Sequence, residues 1–369
     1  MLSKALVVGA YQRKAELIAA EPDIDLTVVA PSRWRDGDRV QRLTATHVEG
    51  YRLIEAPIAL PGNFHLHAYP RLGRVLDQAR PDLVHIDEEP YNLATRLALA
   101  AARRRGARTV FFTWQNLDRR YPPPFSWFEQ AAYRQSDGAI AGSSTAADVL
   151  RAKGYRGPLW TVPQFGVDET EFAPAGAPRA DGKPFTIGFA GRLTHGKGVD
   201  LLVEAFARTS ASLGRASGAK LVLLGDGPER SALLDQAHRL GVAGQVELRT
   251  WLESSEMPRF YRQLDAFVLP SRSTGSWVEQ FGRVLIEAMA CGVPCVGSTS
   301  GEIPYVLGEA GLRFREGDSG DLRDQLRRLA ADASLRAELS RAGRQRVLER
   351  YTMARVAADT AAVYRTVAA

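Results

Sequence analysis

The chain has 369 residues, 48 Lys+Arg against 42 Asp+Glu for a formal charge of +6, and 45% hydrophobic against 24% charged residues. That length suits two domains, and the composition of an ordinary soluble globular protein excludes global disorder. Two cysteines exclude a disulfide scaffold and a four-thiolate zinc site. The modest charge excess, without a long basic block, argues against a nucleic-acid partner.

Short Val/Ile/Leu/Ala runs alternate with stretches of helical period, the pattern of parallel sheets covered by helices. The start, MLSKALVVGAYQRK, has an apolar run of strand length and no cleavage site, and no stretch is long enough to span a bilayer. A cytoplasmic location is expected. In the first half, strands are predicted near residues 5–9, 26–30, 83–86, 109–113 and 139–141, with a helix over 91–105. His85-Ile86-Asp87-Glu88-Glu89 ends a strand at the expected cleft edge, where its carboxylates could bind acceptor hydroxyls. A metal site there lacks a partner set, and His65-x-His67 is too isolated to read as zinc. Residues 119–128, RRYPPPFSWF, mix cations with aromatics. They suit a Pro-started core helix, an acceptor contact or an anionic membrane surface.

The stretch QFGVDETEFAPAGAPRADGKP has no apolar period and is read as a linker over 166–183. Beyond it, strands are predicted near 186–190, 221–224, 246–249, 266–269 and 295–297, and residues from 324 onward are almost all helix. Two open α/β domains facing each other predict a ligand cleft at the carboxyl ends of both sheets.

In FAGRLTHGKGVDLL, a strand ends at Ala190, and Arg192 and Lys197 follow in a loop with Gly196 and Gly198. They read as a diphosphate clamp or as two solvated cations. The spacing is not that of a P-loop. LLGDGPER similarly opens a helix after a strand, with Pro228 suited to its first turn and a structural role. From Leu269 the chain reads LPSRSTGSWVEQFGRVLIEAMACGVPCVG: a strand, a polar loop, and a helix from Phe281-Gly282 to about residue 290, ended by Gly292. Cys291 and Cys295 sit in its apolar tail as packing residues.

Glu287 lies inside the apolar helix, where an ionised carboxylate needs a partner. Either an arginine supplies it, or ligand hydroxyls such as those of a ribose do. Glu279 stands eight positions earlier, and the amides of Gly282 and Arg283 at the helix start form an anion seat. A diol reader beside an anion seat fits a sugar nucleotide. The rival for two carboxylates is a retaining glycosidase, but spacing along one segment does not place them across one bond.

Together GRLTHGKG, LLGDGPER, LPS and EQFGRVLIEAMACGVP resemble the retaining glycosyltransferases of family GT4, with Glu279 and Glu287 matching its E-x7-E signature. The resemblance implies an α/β GT-B fold of two Rossmann-like parallel-sheet domains facing across a cleft. Residues 1–165, with about 350–369 returning to them, would form the acceptor domain, and 184–349 the nucleotide-sugar domain. It implies that Arg192 and Lys197 neutralise the donor diphosphate, Glu287 holds the ribose and Glu279 addresses the transferred sugar. Phe281, Gly282 and Arg283 would close on sugar and phosphate. The first half departs from the family pattern. Gly9-Ala10-Tyr11-Gln12 stands where a glycine pair usually begins the acceptor loop, leaving Tyr11, Gln12, Asp87 and Glu88 as acceptor candidates. Gln115 stands where a histidine is usual; its amide can still hydrogen-bond a sugar hydroxyl but cannot act as an acid or base.

The reading is a glycosyltransferase moving a sugar from a UDP- or GDP-type donor to a hydroxyl acceptor such as a glycan, lipid or small metabolite. It would retain anomeric configuration and need no cofactor and no bound metal, since protein cations meet the phosphate charge. The alternatives are a nucleotide-sugar epimerase or hydrolase, and a non-catalytic nucleotide-sugar binding protein.

Overall fold

Residues 1–37, 39–176 and 183–369 are described in the computed structural model. They form two units, Met1–Gly166 with Met353–Ala369, and Val167–Thr352. In the first unit the strands are β1 (Leu2–Ser3), β2 (Thr27–Pro31), β3 (Arg33–Asp36), β4 (Arg39–Arg42), β5 (Arg52–Ala56), β6 (Leu83–Asp87), β7 (Arg108–Thr113), β8 (Gly138–Ala141) and β9 (Leu159–Thr161). Seven of them form a parallel sheet in the order β5-β2-β1-β6-β7-β8-β9, and β3 and β4 pair as a separate antiparallel ribbon.

Successive side chains of a strand point to opposite faces, and the two cores of this unit follow from that rule. Val29, Ile86 and Phe111 pack on one face with Leu76 and Leu99 from the Leu72–Ala79 and Leu93–Arg103 helices. Val28, Ala30, Val110 and Phe112 pack on the other with Ala15, Ile18, Val356 and Val363. The last two belong to the final helix, Met353–Ala368, whose apolar stripe brings it back to the first unit.

The strand expected over 5–9 is not formed. Only Leu2 and Ser3 join the sheet, through Leu2↔Val29, Leu2↔Ile86 and Ser3↔Asp87. At Lys4 the chain turns to pair with Glu88, and 5–7 and 9–12 wind as 3-10 turns. Those turns still bury Leu6 and Val7. The Leu6 carbonyl accepts a hydrogen bond from Gln12 Nε2 at 2.9 Å in place of a sheet partner. An apolar run satisfied in this way cannot be told from a strand by its pattern.

In the second unit β10 (Phe185–Ala190), β11 (Ala219–Leu224), β12 (Val246–Arg249), β13 (Ala266–Leu269), β14 (Cys295–Ser298) and β15 (Leu312–Phe314) form a six-stranded parallel sheet. Its order is β12-β11-β10-β13-β14-β15, so the direction of winding reverses between β10 and β13. Of the segment expected as linker, 177–182 lie outside the described residues. Residues 167–176 are held on the second unit by backbone contacts. Arg344 Nη1 donates to Phe172 O at 2.7 Å and Arg262 Nε to Ala173 O at 2.7 Å, while Val167 N donates to Tyr351 O at 2.9 Å. Because carbonyls rather than a side-chain stripe make this attachment, the segment shows no period. No helix among the described residues is long and apolar enough to cross a membrane.

Candidate active site

In an open α/β sheet, the crevice lies beyond the carboxyl ends of the strands where winding reverses. The loops after β10, β11 and β13 are packed together there. Leu193 N donates to Asp226 O at 2.9 Å, and Arg272 N to Gly196 O at 2.8 Å. Two glycines permit the approach. A Cβ on Gly198 (φ +65°) would stand 2.1 Å from Pro270 O, and one on Gly225 (φ +141°) would stand 1.9 Å from Gly191 O. Only glycine tolerates both the dihedral and the contact.

This packing brings Lys197 and Glu279 together. Lys197 Nζ lies 2.6 Å from Glu279 Oε2 and 4.8 Å from the centre of the Trp277 ring. Ser271 Oγ donates to the same carboxylate oxygen at 2.8 Å, and Glu279 is buried. Arg192, in the same loop as Lys197, is exposed, and among the described residues its guanidinium has no partner. The pair of cations that looked alike in the sequence is therefore unequal: one is held, the other is open to an anion.

The helix expected from 281 to 290 forms as Arg283–Ala290, with Gly282 at its N-cap in the left-handed region (φ +80°). The N-cap glycine brings no capping side chain of its own, and backbone amides at a helix start favour an anion. Phe281 is buried edge-on against Tyr351, with centroids 5.7 Å apart, so its ring belongs to the core. Glu287 has two partners: Arg283 Nε at 2.9 Å from Oε1, and Tyr261 Oη donating to Oε2 at 2.8 Å. Burial pushes its carboxyl above the ordinary carboxylate range, and Arg283 and Tyr261 offset that only in part. Tyr261 was missed in the sequence, since an aromatic in MPRFYRQ reads as core. Burial likewise pushes the Cys291 thiol up to about 12 and raises Cys295 further, so neither is a thiolate.

In the first unit, Gln115 lies just past β7, buried to 9% exposure. Its backbone N donates to Thr113 Oγ1 at 3.1 Å, and its Nε2 has no hydrogen-bond partner among the described residues. Such a buried, unsatisfied donor calls for an explanation. Tyr11 is half-buried and stacks on Phe165 at 4.2 Å.

The other first-unit candidates are corrected. Gln12 is fully buried, and both ends of its amide are used: Nε2 donates to Leu6 O and Thr44 O (2.6 Å), and Oε1 accepts from Thr46 N (3.0 Å). It joins the N-terminal turns to the 44–47 segment and has nothing left for an acceptor. Glu88 has no exposed side-chain surface and pairs with Lys4 and His67. Asp87 is buried and accepts from Gln164 Nε2 at 2.9 Å. Both carboxylates are internal counter-charges. His65 and His67 turn to aromatic neighbours, Phe125 and Trp34 respectively.

Two Rossmann-like parallel sheets, with a charged and glycine-shaped site at the switch point of the second, define a glycosyltransferase of GT-B fold. The family model "Glycosyl transferases group 1" matches residues 175–346, and "Glycosyltransferase Family 4" matches 16–170. The chain is similar to the GDP-mannose-dependent alpha-(1-6)-phosphatidylinositol monomannoside mannosyltransferase of Mycobacterium tuberculosis, at 29% identity over 91% of this chain and 88% of that one. It is also similar to the D-inositol 3-phosphate glycosyltransferase of Stackebrandtia nassauensis, at 33% identity over 66% of this chain and 57% of that one. Anabaena Alr3699/HepE, solved in complex with UDP, shares the fold with a TM-score of 0.73 at 19% identity, covering 99% of this chain and 98% of that one. The chain belongs to glycosyltransferase family GT4. It is an enzyme that transfers a sugar from a nucleotide-sugar donor to an acceptor.

Proposed function

We propose that the second unit binds the donor at the carboxyl ends of β10, β11 and β13, and that the first unit presents the acceptor. Arg192 and Lys197 meet the diphosphate, and the amino end of the Arg283–Ala290 helix lies against its oxygens. Glu279 addresses the transferred sugar and Glu287 the ribose, with Tyr261 and Arg283 holding Glu287 in place. Gln115 donates its free Nε2–H to a sugar hydroxyl. The observation that carries this reading is the 2.6 Å pair of Lys197 and Glu279 at the switch point. A cation suited to phosphate beside a carboxylate suited to hydroxyls supports a junction of sugar and diphosphate there.

Transfer proceeds on one face of the sugar, so configuration is retained. The bond from the anomeric carbon to the phosphate oxygen breaks as the acceptor oxygen bonds to that carbon. The departing phosphate oxygen takes the acceptor's proton. The protein stabilises the charge that develops on the diphosphate, and it supplies no general base. The GDP-mannose-dependent relative supports a GDP-type donor as the first to test, with UDP-type donors second. Contact of the first unit with an anionic membrane surface belongs to the same reading, since Trp127 and Arg120 of the 119–128 segment are exposed.

The test is a screen of GDP- and UDP-sugars for binding by native mass spectrometry, followed by turnover with hydroxyl acceptors. Binding with acceptor-dependent transfer and a retained anomer is expected. Donor conversion without an acceptor would make the protein an epimerase or hydrolase, and binding without any turnover would make it a binding protein.

A further inference from the structure

The loop after β13 folds back onto the loop that carries Lys197. Arg272 is tied there twice: its N donates to Gly196 O at 2.8 Å, and its guanidinium pairs with Asp200. Beyond it the chain makes a narrow turn closed by Thr274 and Trp277. Thr274 N donates to Trp277 O at 2.7 Å, and Trp277 N donates to Thr274 Oγ1 at 3.0 Å. Ser273 Oγ anchors the same turn by donating to Glu316 Oε2 at 3.0 Å.

This turn lays the half-buried Trp277 indole on the backbone of Gly196. A Cβ at 196 would stand 2.7 Å from ring carbon Cε3, so any other residue there would push the ring away. Gly198 is a glycine for its left-handed backbone, but Gly196 has no positive φ to explain it. The ring explains it. Lys197 follows at once, and its Nζ lies 4.8 Å from the centre of that ring, within the roughly 6 Å reach of a cation–π contact. The same Nζ is 2.6 Å from Glu279 Oε2.

The ammonium therefore has two holders of different kinds. A carboxylate is charged and competes with a diphosphate for the cation. An indole face carries no charge and keeps its hold while a phosphate oxygen approaches from another side. A lysine head rides on a flexible four-carbon stem, so a group that fixes it without competing lowers the cost of engaging an anion. We infer that Trp277 is a positioning residue for the diphosphate: its ring face holds the Lys197 ammonium at the crevice as the ammonium passes from Glu279 to a donor phosphate. The inference rests on the assignment of Lys197 to the diphosphate. A packing role on Gly196 would be met by any apolar side chain of enough bulk, whereas this role needs the π face itself.

The experiment is calorimetric titration of GDP, and of UDP beside it, into the full chain and its variants. Titration below the melting transition of every variant keeps loss of fold from counting as loss of binding. Trp277→Leu, which is apolar and has no ring, should weaken nucleotide binding about three- to thirtyfold. Trp277→Phe restores a ring face and should recover much of that loss. On a Lys197→Met background the stem remains and the charge is gone, so Trp277→Leu should change affinity by less than about twofold. Equal losses from Trp277→Leu and Trp277→Phe, or an undiminished loss on the Lys197→Met background, would make the indole a packing group and overturn the inference. Wild-type affinity in Trp277→Leu, with Lys197→Met weak, would overturn it and leave the diphosphate clamp standing. Wild-type affinity in Lys197→Met would remove Lys197 from the diphosphate and take both readings down.

Discussion

Lys197 and Glu279 stand 82 positions apart in the chain and meet at 2.6 Å where the winding of the second sheet reverses. Arg192, five residues from Lys197, has no such partner among the described residues. The two cations should therefore respond differently to removal. Arg192→Ala is expected to lower turnover at least tenfold and leave the melting temperature unchanged. Lys197→Ala should lower turnover as much and also destabilise the second unit by about 1–2 kcal/mol, because the buried Glu279 loses its counter-charge. Steady-state kinetics with thermal denaturation of both variants checks the contrast. Wild-type turnover in either would remove that residue from the clamp.

If protein cations and a helix end meet the diphosphate, activity should survive EDTA. The check is initial velocity before and after chelation, with Mg²⁺ and Mn²⁺ added back. Loss with recovery on Mg²⁺ or Mn²⁺ would assign part of the phosphate charge to a metal.

Gln115 offers a test that separates ligand binding from stability. Its Nε2 is buried without a partner among the described residues, so the unliganded protein bears the cost of a lost hydrogen bond, about 1–3 kcal/mol. Gln115→Met has similar volume and no amide. It should melt at the same temperature or higher while lowering kcat/KM for the donor. A variant that lost stability with unchanged kcat/KM would make Gln115 a structural residue.

The strands of both sheets were legible where a buried parallel strand leaves an uninterrupted Val/Ile/Leu run, as at β7, β11 and β13. The β3–β4 ribbon was not, because arginines occupy its outward face and only Trp34 marks the inward one. The 5–9 run misled for a different reason: Leu6 and Val7 are buried as a strand would bury them, but in 3-10 turns. In the site, residues fixed by local loops were legible, such as Lys197 beside its glycines and Glu287 within its helix. Gln12, Asp87 and Glu88 were misplaced because their partners lie far off in sequence, at Thr44, Gln164 and Lys4. A carboxylate at a strand end looks the same whether it faces a ligand or a buried lysine.

Glu88 should dominate the acid sensitivity of the first unit. Burial alone would raise its carboxyl, but Lys4, with His67, holds it down to about 2. A depressed carboxylate contributes stability above its unfolded value, near 4.5, and loses that contribution as pH falls toward the folded value. Glu88→Gln leaves Lys4 without its counter-charge and should cost about 3 kcal/mol at pH 7. The deficit should shrink between pH 4.5 and 2 as the wild type loses the same interaction. Chemical denaturation across that range reads it, and a deficit constant with pH would show that the pair carries no linkage.

Glu287 and Glu279 should separate in both binding and stability. Glu287 is assigned to the ribose, which donor and free nucleotide share, so Glu287→Gln should weaken both by a similar factor, about ten- to a hundredfold. Its carboxyl is raised by burial in the folded state. Such a group costs stability once pH exceeds the ordinary carboxylate value, and the cost is complete above the raised value. The glutamine keeps a hydrogen-bonding partner for Tyr261 without that cost. Glu287→Gln should therefore melt higher than the wild type at pH 7, and the gain should vanish below pH 4.5, where both states of the wild type are protonated. Glu279 is assigned to the sugar, which the free nucleotide lacks. Glu279→Gln should leave nucleoside diphosphate affinity nearly unchanged while lowering turnover and relaxing the choice of sugar. Calorimetric titration of both variants with nucleoside diphosphate decides the assignment. Equal losses would mean that both carboxylates serve the nucleotide, and no loss in either would leave Glu287 as the buried partner of Arg283 and Tyr261 alone.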